Sequence, residues 1–238
     1  MTQQKPYGTW TSPLTPAAMA GGMPLREVDW AGDGETLVWL ENRDGQGRLV
    51  ARRFDDASWD VSGEKNVRGG VGYGGGEFTV HEETVFFAAS DGRLYRVDLS
   101  EGWPTPLVPE WGSTASPAVS PDGQWVLYTH TDGENDALAV VDSQGDNWPQ
   151  KLITGSDFYM QPAWHPDGEQ IAWVEWDHPH MPWDETRLCT AELRRAHGRL
   201  ADDGHGTRVV GFAASGQGAG VEGGGLVRRI AGEQSAEH

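Results

Sequence analysis

The residues best equipped for chemistry crowd into one stretch, "EWDHPHMPWD", residues 175–184. Asp177, His178, His180 and Asp184 are acceptable zinc ligands by type. Neither a Cys pair nor a His-Glu-x-x-His helix accompanies them, and Pro179 and Pro182 fix a local loop instead. Three readings stand side by side. The loop holds a metal, or it is a structural connection whose aromatic and Pro residues fold onto a sheet rim, or it faces a substrate. In the third reading Trp176, Met181 and Trp183 offer apolar contact, with His178 beside them. Glu175, Asp177 and Asp184 would then receive the positively charged amino end of a peptide. The sequence assigns no residue to a metal, a cofactor or a catalytic role.

Two other stretches invite a catalytic or ligand reading. A nucleophile elbow needs a Ser on a sharp strand-to-helix turn flanked by Gly. "AASGQGAG" around Ser215 lacks the preceding Gly-x, and "GSTAS" around Ser113 has no suitable helix after it. His residues without a nucleophile prove nothing. "GYGGGEF", residues 72–78, looks like a phosphate loop, but such a loop leads into a helix, and strand-like text follows here. Close backbone approach at the start of a strand is the better reading.

These residues need elements to position them, and the elements repeat. "SPDGQWVLYTH" at 120–130 returns as "HPDGEQIAWVE" at 165–175. Pro presets the first dihedral of the turn, Asp bonds back to the chain, and Gly tolerates positive φ. Weaker copies lie at 27–53, with Asp33-Gly34, and at 76–99, where "HEE" replaces the Gly turn. Turn ends at Gly34, Glu83, Gly123 and Gly168 are spaced by 49, 40 and 45 residues. A spacing of roughly 40–45 residues is that of four-stranded propeller blades. Each unit continues through a second, mostly Asp-Gly, turn into another apolar strand. No helical pattern intervenes, which argues against a βαβ fold. The expectation is all-β: a partial β-propeller of about four four-stranded blades, WD40-like, with a Gly-rich irregular C-terminal tail. Blades must stack to bury their faces, so most of the 12 Trp are expected to pack, with Trp39, Trp125 and Trp173 near one strand position.

The blades are expected over residues 1–193 and a low-order tail over 194–238. All 12 Trp precede Arg194, while the last 45 residues hold 11 Gly. A reading frame shifted from an ancestral one would explain that change of composition. Four blades in an open arc would leave a face and its edges exposed, open to self-association or to a partner.

Composition bounds the partners. The net charge of -18 suits neither nucleic-acid backbone nor an anionic membrane. Cys189 is the single cysteine, so no internal disulfide forms. With no signal-peptide pattern and no apolar run of 18 residues, the expected location is cytoplasmic.

At 163–193 the text becomes specific. "WDHPHMPWD" (176–184), "NVRGGVGYGGGEFTV" (66–80) and "YGTWTSPLTP" (7–16) resemble the N-terminal propeller of the prolyl oligopeptidase family of serine peptidases, in its bacterial acylaminoacyl-peptidase or dipeptidyl-peptidase-like branch. The resemblance covers roughly residues 5–193. It implies a propeller of about seven blades that caps an α/β-hydrolase domain and filters peptides. This chain is expected to stop short of that domain. It is therefore expected to be a non-catalytic fragment contacting peptide or protein. Two alternatives remain: a subunit of a split peptidase whose hydrolase domain lies on another chain, and a general interaction scaffold.

Overall fold

The computed structural model describes residues 25–73, 76–100, 102–196, 199–202, 207–214 and 227–229. They form strands and connections, with no helix among the described residues. Three sheets are four-stranded antiparallel meanders. The first is β1 (Leu25–Trp30), β2 (Thr36–Arg43), β3 (Gln46–Arg53) and β4 (Trp59–Asp60). The second is β5 (Phe78–His81), β6 (Thr84–Ala88), β7 (Leu94–Asp98) and β8 (Thr105–Pro106). The third is β9 (Ser113–Val119), β10 (Trp125–Thr131), β11 (Asp136–Asp142) and β12 (Gln150–Ile153). The fourth starts alike, with β13 (Phe158–Trp164), β14 (Gln170–Trp176) and β15 (Glu185–Ala196). Beyond β15 it continues into β17 (Thr207–Ala214) and β18 (Val227–Arg229), and β16 (Arg199–Asp202) pairs with the end of β15.

The repeated turns take the form their residues dictate. The amide of Gly34 donates to the Ala31 carbonyl at 3.0 Å, Gly123 to Ser120 at 2.8 Å, and Gly168 to His165 at 2.9 Å. In each turn the Asp carboxylate accepts the amide two residues on: Asp33 from Glu35, Asp122 from Gln124, Asp167 from Glu169. One local chemistry thus sets the same hairpin three times. The second sheet makes its turn with Glu82 at positive φ.

Stacking buries the strands' apolar faces. Val38, Leu40 and Leu49 of the first sheet pack on Val85, Phe87 and Val97 of the second. Phe86 and Leu94 of the second meet Val126, Tyr128 and Ala139 of the third. Leu127 and Leu138 of the third meet Tyr159, Ile171, Trp173 and Cys189 of the fourth. The opening strands β1, β5, β9 and β13 approach one another in succession, so each sheet turns its first strand to the same side. Four blade-like sheets in an arc are what the repeat predicts.

Packing claims a narrow majority of the described Trp: Trp39, Trp59, Trp125, Trp164, Trp173 and Trp176 are buried or half-buried, while Trp30, Trp103, Trp111, Trp148 and Trp183 are exposed. Trp103 and Trp148 stand just before the short outer strands β8 and β12, where no further layer covers them. The strand position shared by Trp39 and Trp173 is filled in the third sheet by Tyr128, while Trp125 opens β10. The described residues of 194–238 include the end of β15 and the strands β16, β17 and β18. Leu200 accounts for part of this: it is buried with Trp125 and Val140 of the third sheet, an anchor that a Gly-rich average conceals.

Candidate functional site

The loop between β14 and β15 is held by a polar clasp at its root. Arg187 Nε donates to Glu175 Oε1 at 3.1 Å, and its Nη2 donates to Asp177 Oδ2 at 2.6 Å and to Ser156 Oγ at 3.0 Å. Trp173 Nε1 donates to the other Glu175 oxygen at 2.8 Å. Burial pulls the Arg187 pKa down, but Asp177 and Glu175 together outweigh it, so the guanidinium is held charged above its usual value. The same cause, burial, pushes the nearby Tyr159 hydroxyl up to about 12. A second clasp ties the loop to the turn before β13. The His178 amide donates to Asp157 Oδ2 at 2.8 Å, and the Asp157 amide donates to Asp177 Oδ1 at 3.0 Å. Within the loop, the Met181 amide donates to Asp184 Oδ2 at 3.2 Å and the Asp184 amide to the Met181 carbonyl at 2.9 Å.

Above these clasps lies an aromatic cluster. The Phe158 ring stacks on Trp176 at 5.0 Å and meets His178 at 4.8 Å. Tyr73, from the connection between the first and second sheets, reaches across to Phe158, Trp176 and Trp183 with centroid distances of 6.1, 5.8 and 6.3 Å. Edge-to-face geometry of this kind is the preferred one for aromatic pairs. Tyr73 and the tract 176–184, far apart in sequence, therefore build one rim.

The candidate residues separate by depth. Glu175 is 6% exposed and Trp176 1%, so both belong to the support. Glu175 spends both oxygens on Trp173 and Arg187. Blade architecture explains this better than ligand binding, because the first sheet repeats it: Trp39 Nε1 donates to Glu41 Oε2 at 3.0 Å and Arg43 pairs with Glu41 Oε1. Asp177 is engaged with Arg187. His178 and Trp183 are exposed, and Met181 and Asp184 half-buried. Asp177, His178, His180 and Asp184 do not converge. His180 faces Glu185 at 3.4 Å, His178 faces Asp157, and among the described residues no group of three or more His, Cys, Asp or Glu side chains could hold a metal.

Other sequence candidates resolve simply. Ser113 opens β9, a strand with no helix after it, and Ser215 lies outside the described residues. The described part of the Gly-rich stretch runs into β5, and a side chain at Gly76 would stand 3.4 Å from the Ser116 backbone, where the Ser116 amide donates to the Gly76 carbonyl at 2.9 Å. That is the close approach of one strand to the next. Sequence reasoning passed over Arg187, Asp157, Ser156 and Phe158. The hairpin register would have found Arg187, which pairs directly with Glu175.

The same arc of sheets occurs in solved structures. A puromycin-hydrolysing peptidase of Mycobacterium tuberculosis superposes with a TM-score of 0.69 at 28% identity, over 89% of this chain and 36% of that one. A puromycin hydrolase S511A mutant complexed with PGG gives 0.69 at 29% identity, over 88% and 36%. This chain is a distant homologue of those peptidases. It spans 36% of their length, and the matched part is the propeller-like portion. TolB from Acinetobacter baumannii, with a TM-score of 0.56 at 16% identity over 71% of this chain, shares the fold alone. No family model matches the chain, and no curated protein matches it significantly. An α/β-hydrolase needs helices around its sheet, and the described residues contain none. Nor is any helix among them long and apolar enough to cross a membrane.

Proposed function

We propose that this chain is a non-catalytic propeller portion that contacts peptides, the counterpart of a propeller that gates substrate in an oligopeptidase-like serine peptidase. The observation that carries the reading is the meeting of Tyr73 with Trp176 and Trp183. It makes an exposed aromatic surface, with Trp183 65% exposed, beside the carboxylates of Asp157 and Asp184. An apolar side chain of a peptide lies against Trp183 and Tyr73, while its amino end finds acceptors at the loop carboxylates. The net charge of -18 favours a cationic guest of this kind. Homology to peptidases named for hydrolysing puromycin supports a peptide-like guest rather than a general scaffold.

Calorimetric titration with a hydrophobic tripeptide, free or acetylated at its amino end, tests this. Binding of the free form is expected, weakened about tenfold by acetylation or by Trp183→Ala, in line with the loss of one stacked contact and one charge-assisted bond. Equal affinity for both forms and both proteins would refute it. In a second reading, which the homology to peptidases over their propeller-like portion allows, a hydrolase domain on another polypeptide completes an active enzyme. Peptide turnover that requires both chains would establish that reading.

A further inference from the structure

The face of the first sheet turned away from the second is open. Leu25, Val28, Trp30 and Phe54 are each more than half exposed. With Leu37, Trp39 and Arg52 they line an apolar groove of about 610 Å³. Exposed apolar surface of this extent marks a contact site.

The internal repeat identifies what such a groove receives. Trp30 pairs with Leu37 where Val119 pairs with Val126 and Trp164 with Ile171. Leu37 and Trp39 therefore correspond to Val126 and Tyr128 in the third sheet, and to Ile171 and Trp173 in the fourth. Those four side chains are buried against the preceding sheet. Among the described residues the groove is thus an unfilled copy of the socket that the same molecule fills at its three sheet-to-sheet contacts.

The far end of the arc carries the matching face. Trp173, Cys189 and Ala191 look toward the third sheet. The alternate positions look the other way: Ala172, paired with Thr190, and Val174, paired with Leu188. Leu188 is 44% exposed. Ala172 corresponds to Val38 and Leu127, both buried beneath the following sheet. Charge matches as well. Arg52 pairs with Leu37 beside the Asp33-Gly34 turn, and Glu192 pairs with Gln170 beside the Asp167-Gly168 turn. The turns stand at the same end of every sheet, so stacking brings the two opposite charges together.

We propose that two copies of this chain join head to tail, each seating its fourth sheet in the other's first-sheet groove, to close a ring of eight blades. Eight lies within the range of four to eight blades seen in closed propellers. Socket meeting plug twice about a two-fold axis is an isologous pairing that closes without leaving an edge. The charge of -18 on each copy opposes association, so the apolar contact at the two grooves must carry it.

Light scattering during size-exclusion chromatography of the full chain, at tens of micromolar, reads the outcome. The expected mass is twice 25.9 kDa. Trp30→Glu and Leu188→Glu are each expected to elute as monomers with an unchanged circular dichroism spectrum, and Val28→Glu replaces the first if it misfolds. Mixing the socket variant with the plug variant is expected to restore a dimer, because one intact socket then meets one intact plug. A monomeric wild type would overturn the proposal. So would a Leu188→Glu dimer as strong as wild type, which points to groove-on-groove pairing, or a mixture no more dimeric than its components.

Discussion

Arg187 shows how a single residue decides between support and site. It satisfies Glu175, Asp177 and Ser156 at once, and its side chain is only 18% exposed. Removing it leaves a buried Glu175 carboxylate with only the Trp173 donor. Arg187→Ala is therefore expected to cost about 3 kcal/mol in denaturant unfolding, the range for breaking a buried pair from one side. Arg43→Ala, in the equivalent clasp of the first sheet, is expected to cost less, since Arg43 is 47% exposed. Equal losses would show that burial is not what gives the fourth-sheet clasp its weight. At this scale the sequence spoke unevenly. The loop 176–184 announces itself by composition, but Glu175 reads as a ligand until its partners are known. Tyr73 belongs to the rim only because two connections meet in space, and no local pattern encodes that meeting.

At the scale of the element, the Asp-Gly turns were the most legible feature, because their dihedral demands and their side-chain hydrogen bonds are both local. Gly34 and Gly123 occupy the same turn position with φ of 66° and 69°. A side chain at Gly34 would meet nothing, whereas at Gly123 it would collide with the His81 ring. Gly34→Ala is therefore expected to cost about 1 kcal/mol, from left-handed backbone strain alone. Gly123→Ala is expected to cost more, by the movement forced on His81. Thermal unfolding of the two variants separates these terms, and identical shifts would contradict the neighbouring-sheet contact at His81. The strands beyond Leu193 were not legible in the same way. Their pairing depends on β15 running on past the blade and on Leu200 reaching the third sheet, and both are long-range facts.

For the molecule as a whole, stacking was readable and its extent was not. Repeat spacing gives four sheets, and the alternation along each strand gives two apolar faces, so contact between neighbours follows. Leu25, Val28, Trp30 and Phe54 are exposed on the first-sheet end of the arc, and the proposed head-to-tail pairing is what would cover them. The peptide rim and the first-sheet groove are built by different residues, so variants of either one test one proposal without the other, although the rim loop belongs to the fourth sheet that seats in the groove. Rim variants such as Trp183→Ala leave the groove intact, and Trp30→Glu leaves the rim intact.

Hydrogen exchange of the full chain with and without a saturating hydrophobic tripeptide tests most directly that peptide contact resides at the joined rim. Added protection is expected at two parts of the rim together, the adjoining segments 156–160 and 176–184 on one side and the connection carrying Tyr73 on the other, while β2 and β3 stay unchanged. Protection confined to the first-sheet groove, or to only one of the two rim segments, would contradict it.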